Sequence, residues 1–373
     1  MKQASNSHTH ISGRMEYHDT FLKRKKTQEA EMRQVMDRMD EILYREEMMW
    51  LQRARVDWLK EGDMNTNFFH LRSVWRSCKN KIKRLRKVDG NWCTNGNELA
   101  QLATDFFGDL YKRDTSLDPA ILLNLLNTVV TEEMNESLRR QFSAEEISDA
   151  LFQIGSLKAP GPDGFPGRFF QRNWAVLKED VITPVQAFFQ SGVMPEGVND
   201  TLIVLIPKVK EPKVLKDFRP ISLCNVIYKV VSKCLVNRLR PILEEIISPN
   251  QSAFVPGRMI TDNALIAFEC IHAINQGNTN AQQFCAYKLD LSKAYDKVDW
   301  EYLRGAMIRL GFQDCWVNWV MQCVTTVSFS VNFNGVPHEK FKPTKGLRQG
   351  DPLSLSPYLF LLVTDGLSAL LRK

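Results

Sequence analysis

The chain has 373 residues, of which 44% are hydrophobic and 25% charged, a composition ordinary for a soluble globular protein with two or three domains. Its formal net charge of +6 favours a polyanionic partner only mildly. The eight cysteines are scattered without the spacing of a zinc cluster, and residues 1–17 are polar and lack the apolar core of a signal peptide. The apolar runs are too short to span a membrane. Together these features predict a reduced intracellular protein.

The first part of the chain predicts an extension in front of a larger domain. Residues 1–15 are small and polar, which is typical of disorder. From residue 16 to about residue 59 the sequence is highly charged, with apolar residues at helical intervals, as in an amphipathic helix. We therefore expect disorder over 1–15, a helical and basic extension over 16–95, and one domain over 96–373.

Residues 53–87 interleave aromatic rings with clustered cations. Such a pattern suits a strand of nucleic acid, because cations neutralise phosphates and rings stack on bases. The candidate contacts to nucleic acid are Arg72, Arg76, Lys79, Lys81, Lys83, Arg84, Arg86 and Lys87. A solvated face with a few core aromatics explains the same pattern equally well, so the segment alone does not decide between the two.

The predicted elements follow in chain order. Asp89-Gly90 predicts a short hairpin over residues 87–92, and a helical pattern covers 97–126. A capping box at Ser143–Glu146 opens a further helix that ends near Gly155. The prolines and glycines of residues 158–164 predict a stiff, irregular loop.

The second half of the chain alternates strand and helix patterns. Strands are predicted over 201–207 and 284–290, and a hairpin over 328–341 turns at Asn334-Gly335. The helices are predicted over 226–240, 300–310, 314–324 and 352–371.

Asp290 is the first candidate for chemistry, because it stands at the end of the apolar strand pattern 284–290. Adding a nucleotide to a primer requires divalent cations held by carboxylates, and Mg²⁺ prefers such hard oxygen ligands. Tyr295, five residues on, could stand beneath the incoming sugar and exclude a ribose 2′-hydroxyl by its bulk. On its own, an Asp after a strand is more often a turn or helix cap.

Lys208 and Arg219 supply a candidate anion-binding side. Lys208 ends one strand-like run, and Arg219 lies near the start of a second run about a hairpin's length later. A Lys point charge facing the guanidinium fork of an Arg suits a triphosphate. Gln349-Gly350 offers an amide side chain and an open backbone close to a base pair. Taken singly, the two cations could be surface residues and the Gln-Gly pair a helix-entry turn.

Taken in order, these segments resemble the reverse transcriptase of LINE-type (non-LTR) retrotransposons, especially those of plants. The matching blocks are residues 158–164, 206–208, 218–223, 251–258 with 262–263, 288–296 and 346–353, and a linker-like stretch lies at 55–70. The likeness covers roughly residues 50–373. Because the blocks occur as an ordered series, the resemblance is far more specific than any one motif.

The resemblance implies an α+β fold with the fingers and a partial palm of a right-hand polymerase. It also implies RNA-directed DNA polymerisation with an RNA template, a DNA primer, dNTPs and Mg²⁺, and a place of action in the nucleus or cytoplasm. Position by position, it makes Asp290 a catalytic metal ligand and Tyr295 the sugar-selecting ring. The implied nucleotide contacts are Lys208 and Arg219 at the triphosphate, and Gln349 and Gly350 at the nucleotide and template.

The sequence departs from the family pattern in two places. It ends before the paired-Asp block of the palm, and an extra Leu-Ser pair stands within residues 353–356. We therefore expect an incomplete metal site and no detectable polymerisation by this fragment. The alternative function is a non-catalytic nucleic-acid-binding protein using residues 53–87, while a group II intron maturase-like protein is disfavoured by the linker at 55–63.

Overall fold

The structure is a computed structural model that describes residues 31–46, 49, 66–113, 119–276, 285–350 and 355–372. By internal contacts the chain divides into two units, Met1–Lys81 and Ile82–Lys373. Among the described residues, no helix combines the length and the apolarity needed to cross a membrane. The stretch predicted to be disordered, 1–15, lies outside the described residues, as does the first half of the duplicated Leu-Ser at 353–356.

Within residues 31–46 and 66–81, the first unit contains two helices. Helix α1 covers residues 31–46, which confirms the helical pattern over that part of the extension. Its apolar side chains, such as Val35 and Met39, are exposed. Helix α2 (Thr66–Asn80) is also exposed over most of its described side chains.

The second unit is a mixed α and β structure, as expected. Its helices are α3 (Gly96–Leu110), α4 (Ala120–Leu123), α5 (Glu132–Arg139), α6 (Ala144–Phe152), α7 (Gly167–Arg172), α8 (Trp174–Ser191), α9 (Val226–Leu239), α10 (Leu243–Ile246), α11 (Ile260–Asn275), α12 (Trp300–Leu310), α13 (Asp314–Thr325) and α14 (Ser356–Arg372). Short 3₁₀ helices lie at Leu215–Asp217, Arg240–Ile242 and Tyr295–Lys297.

In the described part of the second unit, two sheets accompany these helices. Strands β1 (Leu85–Arg86) and β2 (Trp92–Cys93) form the small predicted hairpin. The larger sheet contains β3 (Asp200–Pro207), β4 (Phe218–Cys224), β5 (Ser328–Phe333) and β6 (Val336–Phe341), in the order β4-β3-β5-β6. Strand β3 is antiparallel to β4 and parallel to β5, and β5 is antiparallel to β6, so the sheet is mixed. The structure thereby confirms the α+β class.

The core has two parts. Helix α9 is buried on nearly all sides within the larger, helical part. In the smaller part, α3 covers one face of the sheet, and Phe107 of α3 packs with Ile203 of β3 and Val331 of β5. Complete burial of one such side chain stabilises the fold by about 1.5–3 kcal/mol. The opposite face of β3 and β4 remains half-exposed, and the candidate site forms there.

Several local predictions are confirmed by their hydrogen bonds. The Ser143 hydroxyl accepts from the Glu146 amide at 3.1 Å, and the Glu146 carboxylate accepts from the Ser143 amide at 3.1 Å, so α6 begins with the predicted capping box. The hairpin β5–β6 turns at Asn334-Gly335, where both residues have positive φ. Residues 158–164 form no helix or strand.

The predicted strand over 284–290 is wrong for its described part. Residues 285–290 are in neither strand nor helix, and Tyr287 and Leu289 are 82% and 57% exposed. A mostly apolar run gives a segment the tendency to form a strand, but a strand also needs a hydrogen-bonded neighbour. In the ranges that the structure describes, no strand pairs with this segment.

The predicted helix over 97–126 is interrupted. Helix α3 ends at Leu110, and α4 covers only Ala120–Leu123. The carbonyl of Tyr111, the residue after α3, accepts from the amides of Thr344 and Lys345 at 2.9 and 3.1 Å. Contacts with a distant part of the chain therefore use the end of α3, which a helical pattern cannot show.

Candidate nucleotide-binding site

The centre of the site is the turn formed by residues 346–350, here called the glycine turn. Its first residues bind the 3₁₀ helix region, because the amides of Gly346 and Leu347 donate to the carbonyls of Val298 at 2.7 Å and Tyr295 at 2.8 Å. Its far end binds the sheet edge, because the Ser222 amide of β4 donates to the Gln349 carbonyl at 2.7 Å. The glycine turn thus joins the 3₁₀ helix to β4.

Both glycines of this turn are required by their surroundings. Gly346 has φ +93°, and a Cβ there would lie 2.8 Å from the Asp296 carbonyl oxygen and 2.8 Å from the Tyr111 ring. Gly350 has φ +112°, and its Cβ would lie 2.6 Å from Cγ2 of Ile221. A left-handed backbone in such close contact favours glycine over every residue with a side chain.

Arg348 fixes the middle of the glycine turn. Its guanidinium donates to Oδ1 of Asn199 and, at 2.6 Å, to the carbonyl of Cys323. It also lies 3.7 Å from the centroid of the Tyr228 ring. These contacts hold the side chain inside the fold, so Arg348 acts as a structural anchor that the sequence did not single out.

Gln349 is held by a buried carboxylate. Its Nε2 donates to Oδ1 of Asp296 at 2.7 Å, and the Tyr111 hydroxyl donates to the same oxygen at 3.0 Å. Asp296 and Tyr111 are only 2% and 1% exposed. Burial raises the pKa of Asp296, although the hydrogen bond from Tyr111 and the nearby charge of Lys293 oppose the rise. Burial, followed by the charge of Asp296, also raises the pKa of Tyr111 well above its ordinary value.

Lys208 and Lys293 bring positive charge to this carboxylate. Lys208 is exposed, and its Nζ donates to the carbonyl of Lys216 at 3.1 Å. Lys293 is half-buried, with Nζ 4.6 Å from the centroid of the Phe106 ring and with φ +55°. Burial lowers the pKa of Lys293, and the charges of Lys216 and Lys208 lower it further while Asp296 opposes them. The charges of Lys208 and Lys293 thus act on the same carboxylate.

Arg219 lies on the strand that contacts the glycine turn. It is exposed on β4 opposite Ile206 of β3, and the pairing of β3 with β4 confirms the predicted facing strands. Arg219 and Ile221 point to the same face, about 7 Å apart along the strand, and Ile221 is the residue that contacts Gly350. The structure therefore brings Arg219 close to Gln349 and Gly350.

Tyr295 lies beside Asp296 in the 3₁₀ helix. Its ring is half-buried and stacks on Phe360 of α14, with centroids 4.7 Å apart and an interplanar angle of 17°. Burial raises its pKa. The ring therefore packs in the neighbourhood of the glycine turn, while its role in selecting the sugar stays a prediction.

Asp290 is placed differently from the other candidates. It is an exposed residue of the segment 285–291, outside any strand. In the described ranges, no cluster of three or more acidic, histidine or cysteine side chains could hold a metal ion. Asp296 is already bonded to Gln349 and Tyr111. The residues described here therefore do not fit a pair of metal ions by themselves, and the role of Asp290 as a ligand stays a prediction.

The candidate nucleic-acid contacts of the first unit lie on α2. The exposed Trp75 ring has Arg72 5.3 Å and Lys79 4.7 Å from its centroid. Arg76 follows Trp75 on the same helix, and Lys81 lies just beyond its end. The helix alone thus presents an exposed ring between cations.

The candidate contacts of the second unit lie on the β1–β2 hairpin. Arg84 lies 4.6 Å from the centroid of the exposed Trp92 ring, and Lys83 is exposed beside it. Arg86 donates to the Gly90 carbonyl at 2.9 Å, and Lys87 forms an ion pair with Glu98 at 3.3 Å. Two of these cations therefore help to build the hairpin and its contact with α3.

Comparison with known proteins shows which family the second half of the chain matches. Residues 206–373 match the family described as reverse transcriptase (RNA-dependent DNA polymerase). The chain is 29% identical over 323 residues to the transposon TX1 149 kDa protein of Xenopus laevis, covering 86% of this chain and 24% of that protein. It is 29% identical over 236 residues to the Pol polyprotein of retrotransposable element R2DM from Drosophila melanogaster, covering 63% and 21%.

A third relative is the RNA-directed DNA polymerase from the mobile element jockey of Drosophila melanogaster, 22% identical over 231 residues, covering 57% of this chain and 24% of that protein. The chain spans about a quarter of the length of these relatives. Except for Tyr111 and Phe106, the residues that build the candidate site, from Lys208 to Gly350, fall within the matched segment or directly beside it. Residues 206–373 therefore match a reverse transcriptase domain, and the chain is similar to reverse transcriptases of non-LTR retrotransposons.

Proposed function

We propose that this chain serves as part of an RNA-directed DNA polymerase that adds deoxynucleotides to a primer 3′-hydroxyl on an RNA template. One observation carries the proposal. The glycine turn, with Gln349, is hydrogen-bonded to the strand of Arg219, and Lys208 stands at the end of the paired strand. These residues come from separate blocks of the family-matched segment.

In this role, each residue has a defined task. Lys208 and Arg219 bind the triphosphate as a point charge and a fork, and both are exposed on the β3–β4 hairpin. Gln349 and the open backbone of Gly350 face the incoming nucleotide. Tyr295 lies under the sugar with its ring held by Phe360. By this activity the chain would act in the nucleus or cytoplasm, with template, primer and dNTP as its partners.

Reverse transcriptases use divalent metal ions, and we propose Asp290 as one ligand of Mg²⁺. A pair of Mg²⁺ ions supplies the charge that stabilises nucleotidyl transfer when it is bound. Such a pair needs several carboxylates, and Asp290 is the one that the resemblance assigns in this chain. We therefore expect the purified chain to show no primer extension on poly(rA)–oligo(dT) with Mg²⁺ and dTTP. Clear extension would show that its own residues complete the metal site.

Nucleotide affinity tests the proposal directly. The full chain, mixed with poly(rA)–oligo(dT), is titrated with dTTP in a calorimeter. Lys208→Met and Arg219→Met are each expected to weaken binding about tenfold, because a charge-assisted contact contributes roughly 1.5–3 kcal/mol. Lys210→Met, an exposed lysine of the same hairpin, is the matched control and should bind as the wild type does. Equal affinity of all four proteins would refute the proposed site.

A second candidate function is sequence-independent binding of nucleic acid by the basic segment. The observation that favours it is the pairing of exposed rings with cations, Trp75 with Arg72 and Lys79, and Trp92 with Arg84. Arg72→Gln with Lys79→Gln should weaken RNA binding and reduce its dependence on salt concentration. Asp290→Asn should leave RNA binding unchanged. If Arg72→Gln with Lys79→Gln leaves the RNA affinity unchanged, this function is excluded for α2.

A further inference from the structure

The proposed function leaves Asp296 without a task, although its position is unusual. A buried carboxylate is unfavourable unless hydrogen bonds compensate for lost hydration. Here both compensating donors converge on one oxygen, Oδ1, from Tyr111 at 3.0 Å and from Gln349 at 2.7 Å. Tyr111 lies 185 residues away in the sequence, so the fold brings these groups together from distant segments.

The chemistry of a carboxylate decides how Gln349 is oriented. An ionised carboxylate only accepts hydrogen bonds, whereas a carboxamide has a donating nitrogen and an accepting oxygen. Gln349 must therefore turn Nε2 toward Asp296, which directs Oε1 away from it. The backbone of Gln349 is fixed as well, because its carbonyl accepts from the Ser222 amide at 2.7 Å. Main chain and side chain thus allow one arrangement of the amide.

Tyr111 secures the carboxylate from the other side. Its hydroxyl holds Oδ1 of Asp296, and its carbonyl accepts from the amides of Thr344 and Lys345, which directly precede the glycine turn. The Tyr111 ring also packs so closely against Gly346 that a Cβ at this position would collide with it. One residue at the end of α3 therefore fixes both Asp296 and the start of the turn that carries Gln349.

We propose that Asp296 and Tyr111 are positioning residues that hold the Gln349 carboxamide with Nε2 inward and Oε1 outward. The site then offers a ligand one hydrogen-bond acceptor at this point and selects ligands that bring an N–H or O–H donor. The identity of the ligand as a nucleotide rests on the proposed function, whereas the orientation of the amide does not.

The orientation is tested by NMR on the full chain labelled with ¹⁵N-glutamine. The Gln349 side-chain signal is assigned by its loss in Gln349→Met. Asp296→Asn keeps the size of the side chain but can both donate and accept, so Gln349 can turn over. We expect hydrogen exchange of the Gln349 amide to become at least tenfold faster, or its signal to double. An unchanged signal and exchange rate would overturn the proposal.

The effect on binding separates positioning from simple structural support. With poly(rA)–oligo(dT) present, Asp296→Asn should weaken dTTP binding about tenfold and Tyr111→Phe about threefold, while the Tm of Asp296→Asn stays equal or rises. Asp200→Asn, which removes an ion pair with Lys340 at the start of β3, is the matched control and should leave dTTP binding unchanged. Weaker binding that appears only together with a fall in Tm would assign Asp296 a structural role and overturn the proposal.

A reversal of the pair provides the strictest test. Gln349→Glu alone places two carboxylates together and should abolish measurable dTTP binding. In the double variant with Asp296→Asn, the new Asn amide can donate to one oxygen of the introduced carboxylate, which leaves its other oxygen as an acceptor facing the ligand. The double variant should therefore bind dTTP at least fivefold tighter than Gln349→Glu. No recovery would refute the positioning role. If the wild type binds no dTTP while the amide still responds to Asp296→Asn, the polymerase proposal fails and the positioning role stands.

Discussion

The glycine turn and the segment 285–291 are two motif-bearing regions with opposite structural support. Residues 346–350 are tied to the 3₁₀ helix and β4 by three backbone hydrogen bonds, and their side chains reach Asp296, Asn199 and Cys323. Residues 285–291 carry Asp290 but are exposed and unpaired in the structure as described. The difference shows that a motif becomes a formed site only where distant segments supply partners for its polar groups.

The largest expected effect breaks the glycine turn. Gly346→Ala should lower the free energy of unfolding by about 4 kcal/mol, because a left-handed backbone and a collision with the Asp296 carbonyl act together. The matched control is Gly335→Ala, which has a similar φ of +96° but nothing within 4 Å, and should cost only about 1 kcal/mol. Denaturant unfolding measures both. Equal losses would mean that crowding at Gly346 is unimportant.

A leucine from each region gives the next contrast. Leu347 is 3% exposed in the glycine turn, whereas Leu289 is 57% exposed beside Asp290. Leu347→Ala should cost about 3 kcal/mol through lost burial and a cavity, and Leu289→Ala less than about 0.5 kcal/mol. Urea unfolding of the two variants checks this. A comparable loss at Leu289 would show that the segment 285–291 is packed in solution.

Arg348, held inside the fold by the glycine turn's contacts, can be compared with an exposed arginine elsewhere in the chain. Arg348→Lys keeps the charge but loses the fork that reaches both Asn199 and the Cys323 carbonyl, so unfolding should become easier by about 2 kcal/mol. Arg304→Lys, an exposed arginine of α12, serves as the control and should be nearly neutral. Thermal unfolding of the pair is sufficient. If Arg348→Lys does not change the stability, Arg348 is not a structural anchor of the glycine turn.

The smallest effect concerns pH. Burial raises the folded pKa of Asp296, which faces Tyr111, Lys293 and Lys208, so its stabilising contribution is complete below the unfolded pKa and is lost as pH rises through the folded pKa. The stability of wild type relative to Asp296→Asn should therefore fall as pH rises above about 4. Hydrogen bonds from the amides of Val214 and Lys213 lower the pKa of Asp217, so Asp217→Asn should show the opposite slope. Because the pKa of Asp217 is lowered, its contribution is lost mainly below about pH 4, so unfolding is measured at pH 3, 4, 5.5 and 7, and slopes of the same sign would contradict the prediction.

The predictions that succeeded depend on signals between near neighbours. The capping box of α6 and the Asn334-Gly335 turn use hydrogen bonds and φ preferences within a few residues, so the sequence is enough to locate them. The pairing of β3 with β4, predicted as facing strands, follows from two strand patterns joined by a short connection. Tyr111 and Arg348 were missed because their partners lie far along the chain.

The sequence by itself determined the α+β class, the order of the family blocks and the hairpin that carries Lys208 and Arg219. Only the tertiary structure decided that Asp296 is locked beneath Gln349, that Tyr111 ends α3 to support it, and that the segment with Asp290 is not a strand. The physical reason is that buried polar groups and strand edges must find hydrogen-bond partners, and here those partners come from distant segments, such as Tyr111 and Thr344, which are 233 residues apart.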